Sequence, residues 1–189
     1  EINSDININK LDKKILENLN LEKIIKNQEI LKKLNSKNKV NYKKKRLGNN
    51  LVKSFNSEFE LSHGRLIYNY NLIVLGGKIR CEGDSLLIEE YPRLTFDCIF
   101  DINDKNKILK KFSISKKTDQ SPLNFQVEGS LNILNKKINL DVIQINEKGF
   151  SKEEDIDYFK VTFERILFDE SFLKIFKIKK FQEFLLEII

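Results

Sequence analysis

The side chains that could do chemistry in this chain are few, and their spacing argues against catalysis. The one histidine, His63, stands between Ser62 and Gly64, where the residue types favour a hairpin turn. A single histidine excludes any two-histidine metal site, and a serine or cysteine triad would have to use His63 as its base. Paired carboxylates occur at Glu89-Glu90 and Glu153-Glu154. The first pair falls at a turn, and the second in the first turn of a helix, where the macrodipole favours negative charge. Asp97 and Asp101 share one strand face and could attract a cation weakly, although a solvated outer face accounts for them equally. Cys81 and Cys98 are more informative. A turn centred between Glu89 and Glu90 places them opposite each other on adjacent strands, either bridged or as buried free thiols. A bridge would imply an oxidising compartment, whereas two cysteines without histidines at ligand spacing make a poor zinc site. The inventory predicts a protein that is not an enzyme and carries no metal or other cofactor.

These residues are held by a run of short alternating segments from Phe59 to Ile145. Leu94, Phe96, Cys98, Phe100 and Ile102 fall on one face of a strand, with Thr95, Asp97 and Asp101 on the other. Turn signals arrive at short intervals: Gly64, the pair Gly76-Gly77, Gly83-Asp84, then Pro92 and Pro122 at strand starts. Gly83 is expected to introduce a bulge. Asp104 to Lys111 reads as a short helical or irregular crossover with Ile108, Leu109 and Phe112, followed by a polar loop from Lys116 to Gln120. Alternation then resumes through Leu123, Phe125, Val127, Leu131 and Ile133, turns at Asn135-Lys136, and returns through Ile138, Leu140 and Val142.

Both flanks change period. Residues 1–38 are expected to form a polar helical segment: Asp12 can cap a helix carrying Ile15, Leu16 and Leu19, and Leu21, Ile24, Ile25, Leu31 and Leu34 continue the stripe. After the sheet, Ser151-Lys152-Glu153-Glu154 fits a capping box, and Ile156, Phe159, Phe163, Ile166 and Leu167 share one helical side. The last segment, Phe172 to Ile189, sets Phe176, Phe181, Phe184, Leu185 and Ile188 among lysines. It is expected to dock on the sheet, with a basic membrane-surface helix as the alternative. The expected class is α+β: a curved antiparallel β-meander over 39–147, flanked by helices at 1–38 and 151–189.

Composition adds limits. The 189 residues are 40% hydrophobic and include 14 Phe, enough for a core. The net charge of +6 could suggest nucleic acid. Lys and Asn nevertheless saturate the whole chain together with Ile, and the densest basic run, Tyr42-Lys43-Lys44-Lys45-Arg46, lacks any accompanying aromatic platform or recognition-helix signature. A solvated loop or edge guard explains that run better, so no nucleic-acid partner is expected. Glu1 in place of an initiator Met, and the lack of Met throughout, suggest a fragment or processed product. No apolar run reaches membrane-spanning length.

The segment Gly64-Arg65-Leu66-Ile67-Tyr68-Asn69-Tyr70-Asn71-Leu72-Ile73-Val74-Leu75-Gly76-Gly77-Lys78-Ile79-Arg80-Cys81-Glu82-Gly83 resembles the C-terminal repeat region of the AsmA-like family, which is related to TamB and other bridge-like lipid transport proteins. Gly64, Gly76-Gly77 and Gly83 stand where that repeat punctuates its strands; Leu86 to Ile102 would be the next hairpin, and Gly129-Ser130-Leu131-Asn132-Ile133 a later recurrence. The likeness spans roughly 47–147 and leaves both helical flanks unexplained. It implies a non-enzymatic envelope module for lipid transport or outer-membrane biogenesis, on the periplasmic side of the inner membrane of a Gram-negative bacterium. An upstream anchor would hold it to the membrane, with an envelope protein as a possible partner. Its ligand would be a phospholipid or other acyl lipid in an apolar β-groove. Groove lining would come from Leu66, Tyr68, Tyr70 and Leu72, from Leu94, Phe96, Cys98, Phe100 and Ile102, and from Phe125, Val127, Leu131 and Ile133. The competing expectation is an interaction or scaffold domain that uses an exposed strand edge or the C-terminal helix.

Overall fold

A computed structural model describes residues 2–9, 25–43, 51–115, 121–146, 148–149 and 153–168. Their strands form one open, curved sheet in which spatial order equals chain order. The strands are β1 (Ile2–Ile8), β2 (Asn35–Lys43), β3 (Val52–Ser62), β4 (Arg65–Val74), β5 (Gly77–Leu86), β6 (Arg93–Ile102), β7 (Leu123–Asn132), β8 (Lys137–Ile145) and the short β9 (Lys148–Gly149). β1 runs parallel to β2, and every later pair is antiparallel. Helices α1 (Gln28–Lys33), α2 (Lys105–Lys111) and α3 (Glu153–Phe168) accompany the sheet. Among the described residues the architecture is mostly β with few helices, so the α+β expectation is met in part.

Tight turns make the meander. His63 and Gly64 both have positive φ, 50° and 86°, as the shortest hairpin connections require. Gly76, at φ 92°, turns β4 into β5, and its carbonyl accepts the N–H groups of Asn103 and Asp104. A side chain there would strike the Asp104 carbonyl oxygen. Asp104 in turn caps α2, its carboxylate accepting from the Lys107 N–H at 3.0 Å.

The first 38 residues differ from expectation. Ile2–Ile8 is a strand, and the proposed boundary at residue 38 falls inside β2, where Asn38 lies opposite Phe59. The alternation is present in the residues: Ile2, Ser4, Ile6 and Ile8 take one face, and Asn3, Asp5 and Asn7 the other. Asn, Asp and Ser have weak strand propensity, but the seven-residue ladder with β2 outweighs it. The expected helical positions Asp12, Ile15, Leu16, Leu19, Leu21 and Ile24 lie outside the described residues. So do the cap residues Ser151 and Lys152, the polar loop 116–120 and the segment 172–189. At Gly83 the β4–β5 register runs without a bulge, Tyr68 standing directly opposite, while on the other side the β5–β6 pairing ends one residue earlier at Glu82 and Asp97.

One row across the sheet joins Ile6, Val40, Ser57, Tyr70, Cys81, Cys98, Val127 and Ile143, so these side chains share a face. The neighbouring rows on that face are mostly apolar. The opposite face is polar, crossed by exposed pairs such as Lys39–Glu58 at 2.8 Å and Arg80–Asp101 at 3.2 Å. Such pairs contribute little each, and their main effect is to keep that face wet.

Three clusters bury parts of the apolar face. Over β7 and β8, Phe159 of α3 packs with Phe125, Val127, Ile138, Leu140 and Ile143. At one end of the strands, Ile108 and Phe112 of the α2 region cover Val74, Ile102 and Leu123. At the other end, Ile25 and Leu31 cover Leu61, Leu87 and Ile133. Glu164 of α3 also ties the helix to the sheet, its carboxylate accepting the Ile138 N–H at 2.9 Å.

Candidate functional site

The candidate site lies on the apolar face between those clusters. Of the residues expected to line a groove, Ile102, Phe125, Val127 and Ile133 are buried in the core, and Ile133 sits in the turn after β7. Leu66 and Leu94 pack half-buried against the cluster around Leu61, Leu72 against the one around Val74, and Phe96, Cys98, Phe100 and Leu131 against the one beneath α3. Tyr68 and Tyr70 belong to none of the clusters. With Phe55 and Phe59 of β3 they form a half-buried aromatic patch.

Register assembles this patch. Phe55 stands opposite Leu72, Ser57 opposite Tyr70, and Phe59 opposite Tyr68. The Phe55 and Tyr70 ring centroids are 6.1 Å apart, and those of Tyr68 and Tyr70 are 6.4 Å apart with planes only 16° from parallel. Phe55 and Phe59 were absent from the sequence-based lining. Their signal was the alternation Phe55, Ser57, Phe59, Leu61, which begins before the stretch where turn glycines draw attention.

The two tyrosines differ in their hydroxyls. Tyr68 reaches over Gly83 and donates to the Thr95 carbonyl oxygen at 2.9 Å. The β5–β6 ladder stops at Glu82 and Asp97, just short of this point, and the Thr95 side chain there accepts the Asp84 N–H at 2.9 Å. Burial raises the pKa of both tyrosines above the ordinary 10.0, and for Tyr68 the neighbouring Tyr70 and the Asp84 carboxylate add to the effect. Both hydroxyls therefore stay neutral, which suits an apolar surface.

Next to Tyr70 in the same row, Cys81 and Cys98 are joined by a disulfide, S–S 2.06 Å, with their Cα atoms 4.1 Å apart. They have the register that a turn centred on Glu89-Glu90 implies. The bond pins β5 to β6 near the end of their pairing, beside the patch.

The remaining chemical candidates have structural roles. His63 occupies an exposed turn; its backbone N–H donates to the Asn35 side chain at 3.2 Å, and its ring Nδ1 lies 3.1 Å from the Ser62 hydroxyl. Asp101 is paired with Lys78 and Arg80 and accepts from Asn124, while Asp97 accepts from Gln126. Among the described residues no group of His, Cys, Asp and Glu could hold a metal, and no helix is long and apolar enough to cross a membrane. Comparison with known proteins finds no family model, no curated protein and no solved structure that matches the chain.

Proposed function

We propose that this chain is a non-catalytic envelope module that holds the acyl chain of a phospholipid or related lipid against the apolar face of its sheet. The observation that carries this reading is the aromatic patch of Phe55, Phe59, Tyr68 and Tyr70, half-buried and outside the three core clusters. Neutral aromatic surface of this kind suits a hydrocarbon chain, each buried methylene being worth about 0.8 kcal/mol. The resemblance of residues 64–83 to AsmA-like repeats points the same way. The Cys81–Cys98 bond fits an oxidising compartment such as the periplasm, reached through an anchor outside this chain.

Purified protein should carry phospholipid visible by native mass spectrometry and should bind a fluorescent fatty acid saturably. Tyr70→Asp and Phe59→Asp should weaken that binding at least tenfold while the folded signal persists. Lipid-free protein with no saturable fluorescence would sink the idea. A scaffold role is the second reading, and the observation that favours it is the edge strand β1, where Ile2 and Ile6 are exposed.

A further inference from the structure

The two edges of this sheet are treated differently. At the β8 edge, the Glu164 carboxylate takes the Ile138 N–H, β9 pairs with Gln144 and Ile145, and α3 packs over the strand. Among the described residues the β1 edge has little of the usual protection beyond the charge of Asp5. Its seven residues contain no Pro, no Lys and no bulge, and all seven pair with β2, so among the described residues their outward backbone groups face no further strand. Ile2 is 56% exposed and Ile6 47%, both on the face that carries the aromatic patch.

We propose that β1 pairs antiparallel with β1 of a second copy of this chain, about a two-fold axis through Ser4. In that register Ile2 meets Ile6 of the partner subunit, Asn3 meets Asp5 of the partner subunit, and the two Ser4 hydroxyls meet each other. Ile2 and Ile6 then face each other across the join, Ile8 lies beyond the paired stretch, and the Asp5 carboxylate faces an amide that donates to it. Centring the axis on Asp5 would set two carboxylates side by side, a like-charge pair that opposes pairing. At the β8 edge α3 and β9 stand in the way of a head-to-tail contact, which would build an open filament; the self-complementary edge closes after two copies. The join keeps side-chain facing, so the two apolar faces lie on the same side, separated at the seam by the polar strip of Ser4, Asn38 and Ser36. A seven-residue edge is a small interface, and the association is accordingly weak and concentration-dependent.

This proposal rests on the edge alone and stands or falls separately from lipid binding. Sedimentation velocity from micromolar to millimolar protein should show the mass rising from 22.3 kDa toward twice that value. Under mild oxidation Ser4→Cys should cross-link into a covalent dimer, because only residues near the axis meet their own copies, and Asn7→Cys should not. Ile6→Lys, at an exposed position, should hold the protein at monomer mass with its circular dichroism unchanged. Monomer mass at every concentration, or equal cross-linking through Ser4→Cys and Asn7→Cys, would overturn the proposal, as would a dimer that survives Ile6→Lys.

Discussion

Tyr68 and Thr95 are joined across an intervening strand, the tyrosine hydroxyl donating to the threonine carbonyl at 2.9 Å. Gly83 makes this possible by leaving open the space between them. A Cβ at that position would press on the Thr95 carbonyl oxygen and stand 2.9 Å from the Tyr68 hydroxyl. Tyr68→Phe should lower stability by about 1 kcal/mol, the net worth of one hydrogen bond. Gly83→Ala should cost more, because it displaces the same hydroxyl and also crowds the backbone. Urea unfolding of both variants measures the order, and a Gly83→Ala variant as stable as the wild type would contradict it.

Ser85 is 2% exposed, and among the described residues its buried hydroxyl has no hydrogen-bond partner. It lies in the row of Leu61 and Leu66, two apolar side chains. Ser85→Ala removes an unsatisfied polar group at small cost in volume, so stability should stay level or rise by about 1 kcal/mol. A clear loss in thermal unfolding would mean that the hydroxyl has an unseen role.

The Cys81–Cys98 bond closes a separation of 17 residues. Reduction, or the double change Cys81→Ala with Cys98→Ala, should destabilise the protein by about 3 kcal/mol through the freedom returned to the unfolded chain. Thiol titration of the denatured, unreduced protein should find none of its two cysteines reactive. Two reactive thiols would remove the oxidising-compartment argument with it.

Tyr68 and Tyr70 give a signature at alkaline pH. Burial raises both pKa values above the ordinary 10.0, so the folded protein keeps protons that the unfolded chain loses. Their contribution to stability is whole below the unfolded value and is lost as pH climbs from there through the raised folded values. Tyrosinate absorbance should therefore show late-ionising tyrosines in the folded state, and Tyr68→Phe and Tyr70→Phe should each delete part of the late phase. Ionisation of every tyrosine near the ordinary value of 10.0 would contradict the burial of the patch.

Residues that act through neighbours in sequence were readable without coordinates. The turn midpoint between Glu89 and Glu90 sets Cys81 against Cys98, and that is the observed register. The apolar spacing of Ile108, Leu109 and Phe112 marks the crossover that holds α2, although the cap by Asp104 shows only in the structure. What depends on partners far along the chain was not readable. Ile2–Ile8 falls in a stretch expected to be polar and helical, and it is a strand beside β2 instead. Gly83 suggests a bulge when read alone, yet its purpose is set by Tyr68 on one strand and Thr95 on another. The aromatic patch needs the β3–β4 register to bring Phe55 to Tyr70, and the identity of the core residues Phe125 and Val127 needs α3 to cover them.

From β2 to β8 each strand pairs only with the strands that precede and follow it in the chain. Neighbours in sequence are neighbours in the sheet throughout that stretch, so a whole hairpin can be duplicated or deleted without reordering the rest. The width of the apolar face is then a quantity that gene duplication can adjust in steps of two strands, while the sealed β8 end and the β1 end keep their own chemistry.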